Sequence, residues 1–333
     1  MLKSHLYIFS ICLILFSCSK KADVIPVTDD NNGSGINNTF EQIYNSSNSG
    51  LPDNTINDID YTTSLVKIAT NNGYVTFDGN TWTIFNTANS SLPSNKINAI
   101  KTSGTTTWIG TDNGLVNYDG AVMTIYNTIN SPVPSNKIRS LEIDLNNNLW
   151  IGTFSGGGLA KFDGINWTVY TPANSALPSN SVASVTRDNS GNIWVGTASG
   201  ISKFDGVNFT NYNMSNSPLP NSNVYCVAID NNDIKWIGSN GGLTRFDNIN
   251  WQTYTMQNSG LPLNLVRSVV LETSTNLWIG TSGQGIVNFD YLNNTWAHYN
   301  TNNSNLPDNF INKITIAPDN KKWLSTENGI AIK

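Results

Sequence analysis

The sequence predicts an all-β chain in which seven copies of one unit, each a four-stranded antiparallel sheet, close into a ring. Three observations predict it. A Leu-Pro marker, Val-Pro once, recurs at Pro52, Pro93, Pro134, Pro178, Pro220, Pro262 and Pro307, a period of roughly 42 residues and typical of repeat arrays. A Trp-Ile-Gly-Thr marker or a near version follows at Trp108, Trp150, Trp194, Trp236, Trp278 and Trp323, with Ile68-Ala69-Thr70 in the first copy. The last copy stops at Gly329-Ile-Ala-Ile-Lys333, one strand short, and residues 40–44 at the other end supply a matching strand. A last unit closed by the N-terminal strand fastens a ring rather than an open stack.

The fourth copy shows how a unit is built. Residues 181–186 are short and β-branched, a strand signal, and Asp188-Asn-Ser-Gly191 is a turn. Residues 192–197 and 200–204 form the second and third strands. Asp205-Gly206 is a hairpin turn, because Gly accepts positive φ and Asp closes the turn with its own carboxylate. Residues 208–212 complete the sheet, and no helical period intervenes. The same turn recurs at Asp78-Gly79, Asp119-Gly120 and Asp163-Gly164, and the outer strands are expected at 81–85, 122–126, 166–170, 208–212, 250–254 and 295–299. One such sheet is too small to stand alone, so its Trp is expected to pack against the neighbouring sheet. Burying an aromatic of that size removes roughly 150–250 Å², an upper figure of about 4–6 kcal/mol. The Gly after each Trp-Ile pair (Gly110, Gly152, Gly196, Gly238, Gly280) is expected to let adjacent sheets approach closely.

The motifs Asn192-Ile-Trp-Val-Gly-Thr197, Gly200-Ile-Ser-Lys-Phe-Asp-Gly206 and Leu177-Pro-Ser-Asn180 resemble the two-component regulator propeller repeat, in register over residues 39–333. The resemblance implies a β-propeller, and the strand count makes it seven-bladed. It also implies relatives that serve as periplasmic sensing regions of hybrid histidine kinases responding to glycan fragments. No transmembrane helix, kinase or receiver region follows the repeats here, so ligand binding without direct phosphorelay is the expectation.

Composition narrows the function. Charged residues are 12% of the chain and the net charge is −5, with no basic stripe to neutralise phosphates, so nucleic acid is not an expected partner. Asn, Ser and Thr tracts such as Asn300-Thr-Asn-Asn-Ser-Asn305 recur at fixed phase between apolar runs and read as connecting loops. Residues 1–17 form a signal peptide: a positive start, then an apolar run too short to span a bilayer. Leu15-Phe-Ser-Cys18 resembles a bacterial lipoprotein signal, which implies lipidation at Cys18; an ordinary cleaved signal is the other reading. By the same resemblance Ser19 fits sorting to the outer membrane of a Gram-negative cell. Residues 18–38 then form a lipidated, flexible tether, and membrane contact runs through the lipid anchor alone.

Catalytic and metal chemistry find few residues. Cys226 stands alone in an apolar strand and reads as a packed side chain. His298 lies in an outer strand and reads as a surface residue. The periodic Asp78, Asp119, Asp163 and Asp205 read as turn formers, since a general acid or base is needed once or twice per site rather than once per blade. Asp144-Leu-Asn-Asn-Asn148, Asp188-Asn-Ser-Gly-Asn192 and Asp230-Asn-Asn-Asp233 lack the distal Glu of a calcium loop and read as hairpin turns. No cofactor or metal is expected.

One column breaks the period. The fifth residue after each Pro is Asn57, Asn98, Arg139, Ala183, Tyr225, Arg267 and Asn312. Two residues earlier stand Thr55, Lys96, Lys137, Ser181, Asn223, Leu265 and Phe310. If inner strands line a central channel, these side chains gather at one mouth, where amides and guanidinium groups can bind hydroxyls or carboxylates and an aromatic can stack on a sugar. Solvation of a water-filled channel is the plainer reading. The loop between second and third strands opens on the same face and adds Phe154, apolar where other copies are polar. The candidate ligand residues are therefore Asn57, Asn98, Arg139, Tyr225, Arg267, Asn312, Lys96, Lys137 and Phe154. The expected function is a non-catalytic envelope binder of a polar ligand, glycan or oligosaccharide. An envelope protein–protein scaffold is the alternative, and a polysaccharide hydrolase or lyase comes last.

Overall fold

The computed structural model describes residues 38–154 and 156–333, so the expected signal peptide, the expected lipidation site Cys18 and the expected tether up to residue 37 lie outside the described residues. The chain is an all-β, seven-bladed β-propeller of four-stranded antiparallel sheets, with no helix among the described residues. Blade 1 runs from the inner strand Ile56–Tyr61 through Val66–Thr70 and Gly73–Phe77 to the outer strand Trp82–Phe85. Blades 2 to 6 repeat this meander. Blade 7 joins Ile311–Ile316, Lys322–Thr326 and Gly329–Ile332 to the N-terminal strand Gln42–Tyr44.

The closing strand pairs Gln42 with Ile332 and Tyr44 with Ile330. It is shorter than the expected 40–44, because Phe40 leaves the ladder. Its ring is buried with Trp278, Tyr299 and Leu306 between blades 6 and 7. At the corresponding junction in blade 4, Phe204 stands 5.6 Å from Trp150. Blade 7 has Lys333 in register with Phe204, so Phe40 supplies the missing ring. Five outer strands also begin one residue later than expected, at Trp82, Met123, Trp167, Phe209 and Trp251. In each, the preceding N–H is donated to the turn Asp instead of the ladder, as Thr81 N–H is to Asp78 at 2.7 Å.

The six marker Trp side chains are buried at blade junctions. Trp194 stacks on Tyr212 of its own blade at 6.2 Å and meets Phe246 of the next edge-on at 6.3 Å. The glycine argument holds at these junctions: a Cβ on Gly110 would lie 2.6 Å from Ile138 Cγ2, and one on Gly280 would lie 2.6 Å from Ile311 Cγ2. The Leu or Val before each marker Pro is also buried. The Thr of the Trp motif has a role the repeat alone did not reveal. Thr197 Oγ1 donates to the Gly200 carbonyl at 2.8 Å and accepts from Ser199 N–H, fixing the loop that faces the channel mouth. The Asn-rich connections are ordered by their own side chains, with Asn303 Oδ1 accepting Asn300 N–H at 2.8 Å and Ser304 Oγ donating to the Asn300 carbonyl at 2.6 Å.

Candidate functional site

Each inner strand carries a β-bulge near its mouth end, and the bulge falls on the irregular column in every blade. Register shifts lie between Ile56 and Asp58, Ile97 and Ala99, Ile138 and Ser140, Val182 and Ser184, Val224 and Cys226, Val266 and Ser268, and Ile311 and Lys313. The residue skipped by the ladder is therefore Asn57, Asn98, Arg139, Ala183, Tyr225, Arg267 or Asn312. A bulge frees one residue from pairing and re-aims its side chain. These bulges turn the column into a central cavity of about 1040 Å³, and all nine sequence-predicted ligand residues line it. The bulge leaves no glycine or proline signal, which is why the sequence shows the column without its cause.

The seven positions divide into two sets. In blades 7, 1 and 2 the residue is Asn, and its amide joins two blades. Asn98 Nδ2 donates to Asp112 of its own second-to-third-strand loop at 2.8 Å and to the Ile138 carbonyl of the next blade at 3.0 Å. Asn57 does the same with Asn71 and the Ile97 carbonyl, and Asn312 with Glu327 and the Ile56 carbonyl. Blades 3 to 6 carry Arg139, Ala183, Tyr225 and Arg267 instead, and make none of these contacts. Phe154 and Ala198 replace the loop acceptor in blades 3 and 4.

Arg139 is exposed to the channel, and Arg267 lies over the Tyr225 ring at 4.9 Å. Surrounding protein, and next the charge of Arg267, lower the pKa of the Arg139 guanidinium; Asp58 and Asp112 oppose the shift. Tyr225 OH accepts from Asn223 Nδ2 at 3.0 Å. Phe154 is 51% exposed, and Phe310 on the same face is 49% exposed beside Gly283. Phe310 belongs to the second irregular column of the sequence and lies outside the nine candidate ligand residues.

Deeper in the channel, ion pairs between blades hold the wall. Lys313 Nζ meets Asp58 at 2.6 Å and Lys101 Nζ meets Glu142 at 2.8 Å. Burial alone would lower the Lys313 pKa, but the Asp58 carboxylate outweighs it and raises it. Sequence reasoning missed this pair because Asp58 and Lys313 lie in adjacent blades at opposite ends of the chain.

The remaining candidates have structural partners. Burial pushes the Cys226 thiol up to about 12, so it stays protonated at neutral pH. The His298 ring hydrogen-bonds the Gln284 carbonyl. Asp188 accepts from Asn192 Nδ2 at 2.8 Å and Trp194 Nε1 at 2.9 Å, so the turn that resembles a calcium loop caps its own blade. No group of three or more His, Cys, Asp or Glu able to hold a metal occurs among the described residues.

Residues 176–199, part of one repeat of the array, match the two component regulator propeller family. No curated protein matches the chain. Among solved structures, the extracellular domain of the hybrid two component system BT3049 from B. thetaiotaomicron is similar, with a TM-score of 0.72 and 20% identity over 85% of this chain. This chain spans only 39% of that one. PorZ, a surface component of the type-IX secretion system of Porphyromonas gingivalis, gives a TM-score of 0.67 and 17% identity over 84% of this chain and 46% of its own. Virginiamycin B lyase from Staphylococcus aureus gives 0.69 and 15% identity over 88% and 97%. At these identities the likeness establishes the propeller fold, a fold that serves regulators, a secretion component and an enzyme alike.

Proposed function

We propose that this chain is a non-catalytic, ligand-binding propeller of the cell envelope, which takes a polar ligand, a glycan or oligosaccharide, at the bulge-lined mouth of its channel. One observation carries the reading. Seven equivalent backbone positions are turned into one cavity, and four of them, in consecutive blades, hold side chains that make none of the interblade hydrogen bonds of the Asn positions. Arg139, Arg267 and Tyr225 offer donors and an aromatic face, Lys96 and Lys137 stand at the rim, and Phe154 presents an apolar surface suited to a sugar ring. The envelope location rests on the lipoprotein-like signal ending at Cys18. A thermal-shift screen of the purified protein against neutral and acidic oligosaccharides tests the reading. At least one saccharide is expected to raise the melting temperature by roughly 2 °C or more at saturation. A complete panel without effect contradicts it.

The scaffold reading has its own observation. Ile165, Val207 and Ile249 are 86%, 81% and 83% exposed on the outer Asp turns of consecutive blades, on the face away from the mouth. A partner protein captured there would leave the channel open to a ligand, so the two readings are compatible.

A further inference from the structure

We infer that the ligand taken at this mouth is anionic: a carboxylate or sulfate ester of an acidic saccharide seats between Arg139 and Arg267. The inference rests on the ligand-binding reading above and names the chemistry of its ligand.

Two cations of the cavity have no anionic partner among the described residues. Neither Arg139 nor Arg267 makes an ion pair or a side-chain hydrogen bond among the described residues, and Arg267 Nε is buried without an acceptor. Every carboxylate that lines the cavity already has donors. Asp58 takes Lys313 Nζ at 2.6 Å and the Ile100 N–H at 3.0 Å. Asp60 takes the Thr102 N–H at 2.7 Å, and Glu142 takes Lys101 at 2.8 Å. Asp112 takes Asn98 at 2.8 Å, with Lys96 at 3.8 Å. The chain has a net charge of −5, yet its cavity keeps two guanidiniums without a resident counter-ion.

Geometry makes that pair a receptor. The two arginines come from blades 3 and 6, across the ring from one another, with Ala183 leaving space between them on the wall. Tyr225 lies under the Arg267 guanidinium at 4.9 Å and limits its movement. Arg139 feels the other guanidinium: surrounding protein first, and the charge of Arg267 second, lower its pKa. An oxyanion between them would cancel the repulsion and fill the planar donor forks, which suit carboxylate and sulfate oxygens. A cavity of about 1040 Å³ is far larger than a bare inorganic anion needs, and half-exposed Phe154, on the same blade as Arg139, suits the sugar that carries the charge.

The test is calorimetric titration of the purified protein with three probes of similar length: a trigalacturonate carrying carboxylates, a sulfated oligosaccharide, and a neutral galacto-oligosaccharide. At least one acidic probe is expected to bind tenfold or more tightly than the neutral one, and to weaken with added salt. The stronger acidic arm identifies carboxylate or sulfate as the recognised group. Arg139→Ala and Arg267→Ala are each expected to lower that affinity tenfold or more with the melting temperature within a few degrees, and Arg139→Lys to restore part of it. A neutral probe bound as tightly as the acidic ones, or an acidic probe indifferent to both arginine variants, overturns the anion assignment and leaves the ligand reading standing. Absence of binding by all three, together with a silent thermal-shift panel, overturns both.

Discussion

Blades 7, 1 and 2 and blades 3 to 6 share one backbone device and use it differently. In the first arc each bulged residue is Asn, and its amide joins its own loop to the next inner strand. In the second arc the bulge is kept, but the side chains are Arg139, Ala183, Tyr225 and Arg267, and the loop acceptor is lost with the Asn in blades 3 and 4. The difference teaches that the bulge is a property of the fold, whereas the residue on it is free to change. A position that re-aims a side chain in every blade can serve cohesion in one arc and recognition in another without altering the ring.

The largest test of this division acts on the Asn arc at its seam. Deleting residues 39–46 removes the outer strand of blade 7 and the Phe40 ring buried against Trp278, Tyr299 and Leu306. Loss of one buried Phe alone costs about 3–5 kcal/mol, so the melting temperature is expected to fall by roughly 10 °C or more. A fall of only a few degrees in a thermal melt would show that the ring does not depend on this seam.

A smaller test moves the lock from one arc to the other. Arg139→Asn combined with Phe154→Asp recreates in blade 3 the pairing of Asn98 with Asp112. Each new hydrogen bond is worth about 0.5–1.5 kcal/mol, so the double variant is expected to gain stability by about 1–2 kcal/mol in denaturant unfolding, while losing affinity for the acidic probe. A less stable double variant would mean that the Asn lock depends on more than these two residues.

Much of the architecture was legible in the sequence because each unit solves the same packing problem. Trp194, Gly196 and Asp205 recur in register, and each has one local physical job: junction filler, close-approach point and turn former. Ring closure was legible because residues 329–333 end where one more strand is required. The exact role of Phe40 was not, since its value comes from Lys333 standing where blade 4 has Phe204, a relation between chain ends. The cavity-lining column was visible as a break in uniformity, and the nine chosen residues do converge. What the sequence could not show was which of them have partners already. Asn98 and Arg139 look equally available in a list of polar residues, and only the contacts to Asp112 and the Ile138 carbonyl separate them. The Asp58 to Lys313 pair was equally hidden, because ring closure alone brings those strands together.

The division between the arcs is tested most directly by measuring stability and acidic-saccharide affinity side by side for Asn98→Ala and Arg139→Ala. Asn98→Ala removes two hydrogen bonds and is expected to cost about 1–3 kcal/mol of unfolding free energy, with affinity for the probe changed less than about threefold. Arg139→Ala is expected to change stability by no more than about 0.5 kcal/mol and to weaken the probe tenfold or more. The opposite pattern, with Asn98→Ala abolishing binding and Arg139→Ala melting the ring, would contradict the account.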